Sequence, residues 1–131
     1  MKKIILLFAF SLTFLSCSSS DEDISDNSLI GTWKISEEYL NGEKTQLREC
    51  QENDFTDFFS NNTFKATFYE KVDNECITND DSSGTWKHVS GEEYNIIVGD
   101  KKVWLTLLDN TTFKLFEDKN KVNSYEIWEL Q

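Results

Sequence analysis

The chain has 131 residues, enough for one small domain, and carries 13 basic against 24 acidic side chains for a formal net charge of −11. Such a surface, with no basic stripe anywhere along the sequence, repels phosphate backbones and anionic headgroups. Nucleic-acid binding and charge-driven membrane attachment are therefore excluded.

Lys2 and Lys3 open the chain, and residues 4–15 (IILLFAFSLTFL) follow as an uncharged apolar run. A dozen residues fall short of the roughly 20 that a spanning helix requires, so the run reads as a secretory leader covering residues 1–16. Ser16-Cys17 at its end resembles the lipobox of bacterial lipoproteins, with Phe14 where that motif carries Leu. The resemblance implies acylation of Cys17 as the new N-terminus. Residues 17–28 are Ser-rich and acidic, too polar to bury, and are expected to form an extended tether. The Ser18-Ser19-Ser20-Asp21-Glu22-Asp23 segment after the cysteine resembles the surface-export signal of Bacteroidetes-type lipoproteins. That implies a lipid-anchored protein on the outer face of the outer membrane, with the lipid as its sole membrane attachment. Losing Lys2 and Lys3 with the leader leaves 11 basic against 24 acidic residues, a charge near −13.

From about Leu29 to Gln131 helical periodicity is hard to find, whereas short alternating runs broken by Asn, Gly and Asp recur. A first strand alternates through Trp33, Ile35 and Tyr39 and ends at Asn41-Gly42, the strongest short hairpin signal. A weak strand spans residues 44–49. Another spans 54–59, where both faces carry apolar residues, and turns at Asn61-Asn62 into 63–71 through Phe64, Ala66 and Phe68. An acidic loop is expected over 73–83. Strands follow at 94–98 and 102–108, joined by Gly99-Asp100, and 125–130 closes the chain. Gly84-Thr85-Trp86-Lys87 repeats Gly31-Thr32-Trp33-Lys34, and Thr112-Phe113-Lys114 repeats Thr63-Phe64-Lys65. The order of these repeats points to two halves of about four strands each. Adjacent hairpins without a crossover helix make an antiparallel meander, and about eight such strands close into an up-and-down barrel that leaves no free edge.

With Cys17 lipidated, Cys50 and Cys76 remain as an even pair in an oxidising compartment and are read as a disulfide. A metal pair would need further His or Cys ligands, and the chain offers one His and no CxxC.

Gly31-Thr32-Trp33 is similar to the G-x-W that opens lipocalins. Four further stretches extend the pattern: Leu29-Ile30 ahead of it, Cys50 before Asp54-Phe55, Phe59-Ser60-Asn61-Asn62-Thr63-Phe64, and Cys76 before Ser83-Gly84-Thr85-Trp86. Together they resemble the lipocalin-like domain of Bacteroidetes-type lipoproteins over nearly the whole segment after the tether. The resemblance implies an all-β, antiparallel lipocalin-like barrel over residues 29–131 that binds a small apolar or amphipathic ligand. The domain is shorter than true lipocalins and shows no C-terminal helix, so a partly filled interior is expected.

The candidate interior, and hence ligand-binding, set is Trp33, Ile35, Tyr39, Phe64, Phe68, Trp86, His88, Tyr94, Ile96, Leu105 and Phe113. An eight-stranded barrel is just wide enough to be packed by such side chains or to hold one small ligand. Trp33 and Trp86 are expected to plug one end. His88 falls two residues beyond Trp86, on the same strand face. It has no nucleophile or orienting carboxylate by motif, so an ordinary hydrogen-bonded histidine is expected and the protein is read as non-enzymatic, with no cofactor. Asp73, Glu75, Asp80 and Asp81 carry hard oxygen ligands but lack EF-hand spacing, and a solvated loop is the preferred reading over a Ca²⁺ site. Trp104, together with Trp128, is a candidate exposed patch. It supports the alternative of a non-catalytic interaction module, an accessory subunit or inhibitor docking on another envelope protein. The chain is expected to be a monomer.

Overall fold

The computed structural model describes residues 27–131. The expected leader, the expected lipidation at Cys17 and nearly all of the expected tether lie outside the described residues. Nine strands form one sheet: β1 (Gly31–Leu40), β2 (Glu43–Thr45), β3 (Phe55–Phe58), β4 (Thr63–Val72), β5 (Glu75–Ser90), β6 (Glu93–Val98), β7 (Lys101–Asp109), β8 (Thr112–Phe116) and β9 (Tyr125–Leu130). All pairings are antiparallel between neighbours, and β9 returns to pair with β1 from Trp33↔Leu130 to Tyr39↔Tyr125. Closure therefore runs through eight strands, β1 and β3 to β9. The short β2 pairs only with the far end of β1, through the Asn41-Gly42 hairpin whose two residues both take positive φ.

The acidic segment read as a loop over 73–83 is instead strand. Asp73 and Asn74 adopt φ of 48° and 66° and make a two-residue hairpin turn. The ladder continues from Val72↔Glu75 to Thr63↔Thr85. Pairing with β4 supplies what the low strand propensity of Asp, Asn and Ser withholds. Residues 70–77 are exposed throughout, so the hairpin tip projects from the barrel. The Cys50–Cys76 disulfide, with Cα atoms 5.5 Å apart, fastens that tip to the β2–β3 connection, as expected from the sequence. Lys71 and Glu49 form an ion pair beside it.

The two repeated motifs have different fates. Thr63-Phe64-Lys65 opens β4 and Thr112-Phe113-Lys114 opens β8, four strands apart around the barrel and running the same way. Gly31-Thr32-Trp33 begins β1, but Gly84-Thr85-Trp86 lies in the second half of β5, which runs the opposite way. The GTW pair is thus no structural repeat. It places two indoles at the same end from opposite directions.

That end is packed solid. Trp33, Phe58, Phe64, Trp86, Tyr94, Leu105, Leu107, Phe113 and Trp128 are buried there in one cluster. Rings meet at 4.8 Å for Trp33–Phe113 and 6.1 Å for Trp86–Tyr94. A 3₁₀ turn at Asn27–Leu29 crosses beneath. Leu29 is fully buried, its carbonyl accepts from Trp33 Nε1 at 2.9 Å, and Ser28 Oγ meets the Tyr94 hydroxyl at 2.9 Å. Trp86 Nε1 donates to the Phe59 carbonyl at 3.2 Å. Both plugging indoles have their one donor satisfied, as burial requires.

Gly84 permits a close approach of β5 to β6: a Cβ there would stand 2.0 Å from the Ile97 carbonyl oxygen and 3.0 Å from the Phe64 ring. Since the obstacle is backbone, Gly84→Ala must push two paired strands apart. A loss of about 1–3 kcal/mol, the range for overpacking, is expected in urea unfolding. A neutral result would mean that β5 and β6 slide freely past each other.

Candidate functional site

Antiparallel alternation sends the other half of every strand to the opposite end, and there the interior is hollow. A cavity of about 800 Å³ opens at that end, within the volume range typical of small-molecule sites. Its apolar wall comes from Phe64, Phe68, Ile96, Val103, Phe113 and Leu115, with Ala66 leaving room at the centre. Phe58 and Trp128 form the floor, where the packed tier begins. The rim is made by Tyr39 and Leu40 of the β1–β2 hairpin, Val98 and Lys101 of the β6–β7 turn, and the β8–β9 connection at Phe116 to Ser124.

The sequence-derived interior set divides between the two tiers. Phe64, Ile96 and Phe113 are buried and also line the cavity. Phe68 lines it while half-buried. Tyr39 stands at the rim, half-buried, with its ring stacked on Tyr125 at 4.6 Å and its hydroxyl donating to Glu37 Oε2 at 2.8 Å. Trp33, Ile35, Trp86, Tyr94 and Leu105 are core residues outside the cavity lining. His88 is exposed at the closed end. It has passed beyond the Tyr94 plug, its ring lies 5.1 Å from Tyr94, and its Nε2 lies 2.7 Å from the Gly91 carbonyl oxygen. Though it shares the Trp86 face, no interior remains at its level.

The expected outer patch of Trp104 with Trp128 does not form. Trp128 is 3% exposed and points inward, because its register opposite Phe113 on β8 and Ile35 on β1 puts it on the core face. Trp104 alone faces outward, half-buried, under the ammonium groups of Lys119 at 4.5 Å and Lys102 at 5.9 Å. Beneath it on the outer face lies Asn95, whose Oδ1 is buried with no hydrogen-bond partner among the described residues.

Sequence reasoning missed Phe58, Ala66, Val103, Leu115 and Trp128 as lining, and it missed the polar side of the site altogether. A bulge between Ile35 and Glu37 shifts the alternation of β1, so that Glu38 reaches the cavity. Glu38 lies directly opposite Glu126 of β9, which also lines it. Glu126 Oε2 accepts from Trp128 Nε1 at 2.9 Å. Burial raises the Glu126 carboxyl above its ordinary range, more than the Trp128 bond lowers it, and the nearby charges of Glu38, Asp54 and Glu117 push the same way. Asp54 at the head of β3 is also raised by burial, although Tyr69 N–H donates to its Oδ1 at 2.7 Å.

Among known proteins, the family model described as a lipocalin-like domain matches residues 29–127. No curated protein and no solved structure matched. The matched span begins at Leu29, which seals the closed end, and runs to Ile127 in β9. It thus takes in both tiers of the barrel.

Proposed function

The chain belongs to the lipocalin-like domain family, and from that premise we propose that it binds, without catalysis, one small apolar or amphipathic molecule in the open half of its barrel. The observation that carries this reading is the cavity of about 800 Å³ whose wall is largely aromatic and aliphatic and whose rim sets charged groups among apolar ones. Small-ligand sites are commonly built this way, with apolar walls supplying affinity and a few polar groups setting orientation. The closed end supplies rigidity independently of the cavity, so a ligand enters a preformed space and little ordering cost opposes binding. In the same reading Cys17 carries lipid, and the acidic tether holds the barrel at the outer membrane, facing outward. The leader, the Ser16-Cys17 junction and the acidic cluster after it support that placement.

Ala66 provides the test. Ala66 lies in the cavity wall between Phe64 and Phe68 on β4 and is 5% exposed, so Ala66→Phe would add a ring to that wall and take up ligand volume. A neutral fluorescent polyene should bind the parent chain with one-to-one stoichiometry and quench its tryptophan emission. The Ala66→Phe chain should bind it at least about tenfold more weakly, with a stability loss of no more than about 1–3 kcal/mol. Equal binding by both would place the probe elsewhere and remove the support for a carrier.

A further inference from the structure

The ligand of the cavity, resting on the reading above, is further specified by the charges placed inside it: we propose that it is a protonated amine with an apolar body, whose ammonium group sits between Glu126 and Glu38.

Five carboxylates line the cavity: Glu38, Asp80, Glu117, Asp118 and Glu126. Against them stand two ammonium groups, Lys101 and Lys121, both exposed and both in rim segments. The ion pairs among the described residues join Lys44 to Glu37, Lys65 to Asp81, Lys71 to Glu49 and Lys119 to Glu93. None of these uses any of the five, so the cavity keeps an unneutralised negative charge.

Glu38 and Glu126 are the innermost of the set by strand position, and they face each other across the β1–β9 ladder. Like charges directly opposite on adjacent strands repel, and both side chains are half-buried, which weakens the screening of that repulsion by water. Each carboxylate has a neutral donor on one oxygen: Trp128 Nε1 for Glu126 and Thr45 Oγ1, at 3.1 Å, for Glu38. Neither donor brings positive charge. A cation between them would relieve the repulsion and offset the desolvation of Glu126. Among the described residues no three metal-ligating side chains converge closely enough to hold an ion. The two carboxylates and an apolar wall therefore suit an organic cation better than a bare one. Phe68, Val103 and Leu115 would take the apolar body, leaving the acidic rim to draw the cation in.

The test uses the chain from Ser18 onward, which contains every described residue, with three probes of one tail length: decylamine, decanol and decanoate. Calorimetric titration at pH 7 and moderate salt should rank decylamine tightest, at least about tenfold ahead of decanol, with decanoate weakest. In Glu126→Gln, which keeps an acceptor for Trp128 Nε1, the ratio of amine to alcohol affinity should fall to near one. Glu38→Gln, a second variant should the first fail to fold, should also reduce that ratio. Equal affinities for all three probes would overturn the amine assignment while leaving the carrier intact. So would an unchanged ratio in Glu126→Gln and Glu38→Gln, or a preference for decanoate. Binding of none of them would overturn the carrier itself, and the amine with it.

Discussion

Trp33→Ala should cost the fold about 3–5 kcal/mol, the range for truncating a fully buried large aromatic. Trp33 has no exposed surface, packs its ring against Phe113 at 4.8 Å, and holds the Leu29 carbonyl through Nε1. Its removal opens a void in the densest part of the barrel and leaves that carbonyl unpaired. It also frees the 3₁₀ turn that seals the closed end. For a domain of this size the loss corresponds to a fall in Tm of about 12 °C or more. Phe68→Ala makes the useful contrast. Phe68 lines a hollow and is half-buried, so its truncation removes cavity wall while costing far less stability. Urea unfolding of both variants measures the difference between the tiers. A Trp33→Ala chain within about 1 kcal/mol of the parent would show that the closed end is not the stabilising core.

The second large effect is expected from the disulfide. Replacing both Cys50 and Cys76 by Ser opens a loop of 26 residues, and loop-closure entropy assigns the bridge about 3–4 kcal/mol. Its native-state role is equally specific. Residues 70–77 project beyond the barrel with no buried side chain, so only the ladder, the bridge and the Lys71–Glu49 pair hold the tip down. An exposed ion pair contributes at most about 1 kcal/mol and cannot replace the bridge. Amide exchange in the double Ser variant should accelerate at the hairpin tip while β6 to β8 stay protected, and urea unfolding should shift by the stated amount. Reductant added to the parent should reproduce both changes. A variant as stable as the parent, with unchanged exchange at the tip, would refute the bridge's role.

Much of the architecture is legible in the sequence because alternation and turn chemistry coincide. Asn41-Gly42 and Asn61-Asn62 mark hairpins, Trp33, Phe64 and Phe113 fall on inward faces, and Cys50 and Cys76 pair with each other. The misreadings have physical causes. Residues 73–83 read as loop because their composition is poor for a strand, yet register with β4 carries them into one. Trp128 is ambiguous within Tyr125–Leu130, where both faces hold apolar residues, and only the partners on β8 and β1 decide its side. The polar run Ser36-Glu37-Glu38 hides the bulge that turns Glu38 inward, so the acidic side of the cavity has no signature in the alternation. His88 shares a face with Trp86 but lies one step past the end of the interior, and face periodicity says nothing about depth. The hollow half depends on how unevenly large side chains are shared between the two tiers. Phe58, Trp86, Tyr94 and Trp128 crowd one end while Ala66 and Val103 thin the other. That division follows from strand direction and stagger, which alternation along a single strand does not contain.

The central claim is that the open tier holds a ligand while the closed tier holds the fold together. A crystal structure of the chain from Ser18 onward, grown with decylamine, tests it most directly. The account predicts an alkyl chain between Phe68, Val103 and Leu115, the nitrogen within hydrogen-bond distance of Glu126 and Glu38, and the Trp33–Trp86 tier unchanged. A cavity closed by Phe68, Leu115 and Phe116 turning inward, with the amine bound only on the outer surface, would contradict it.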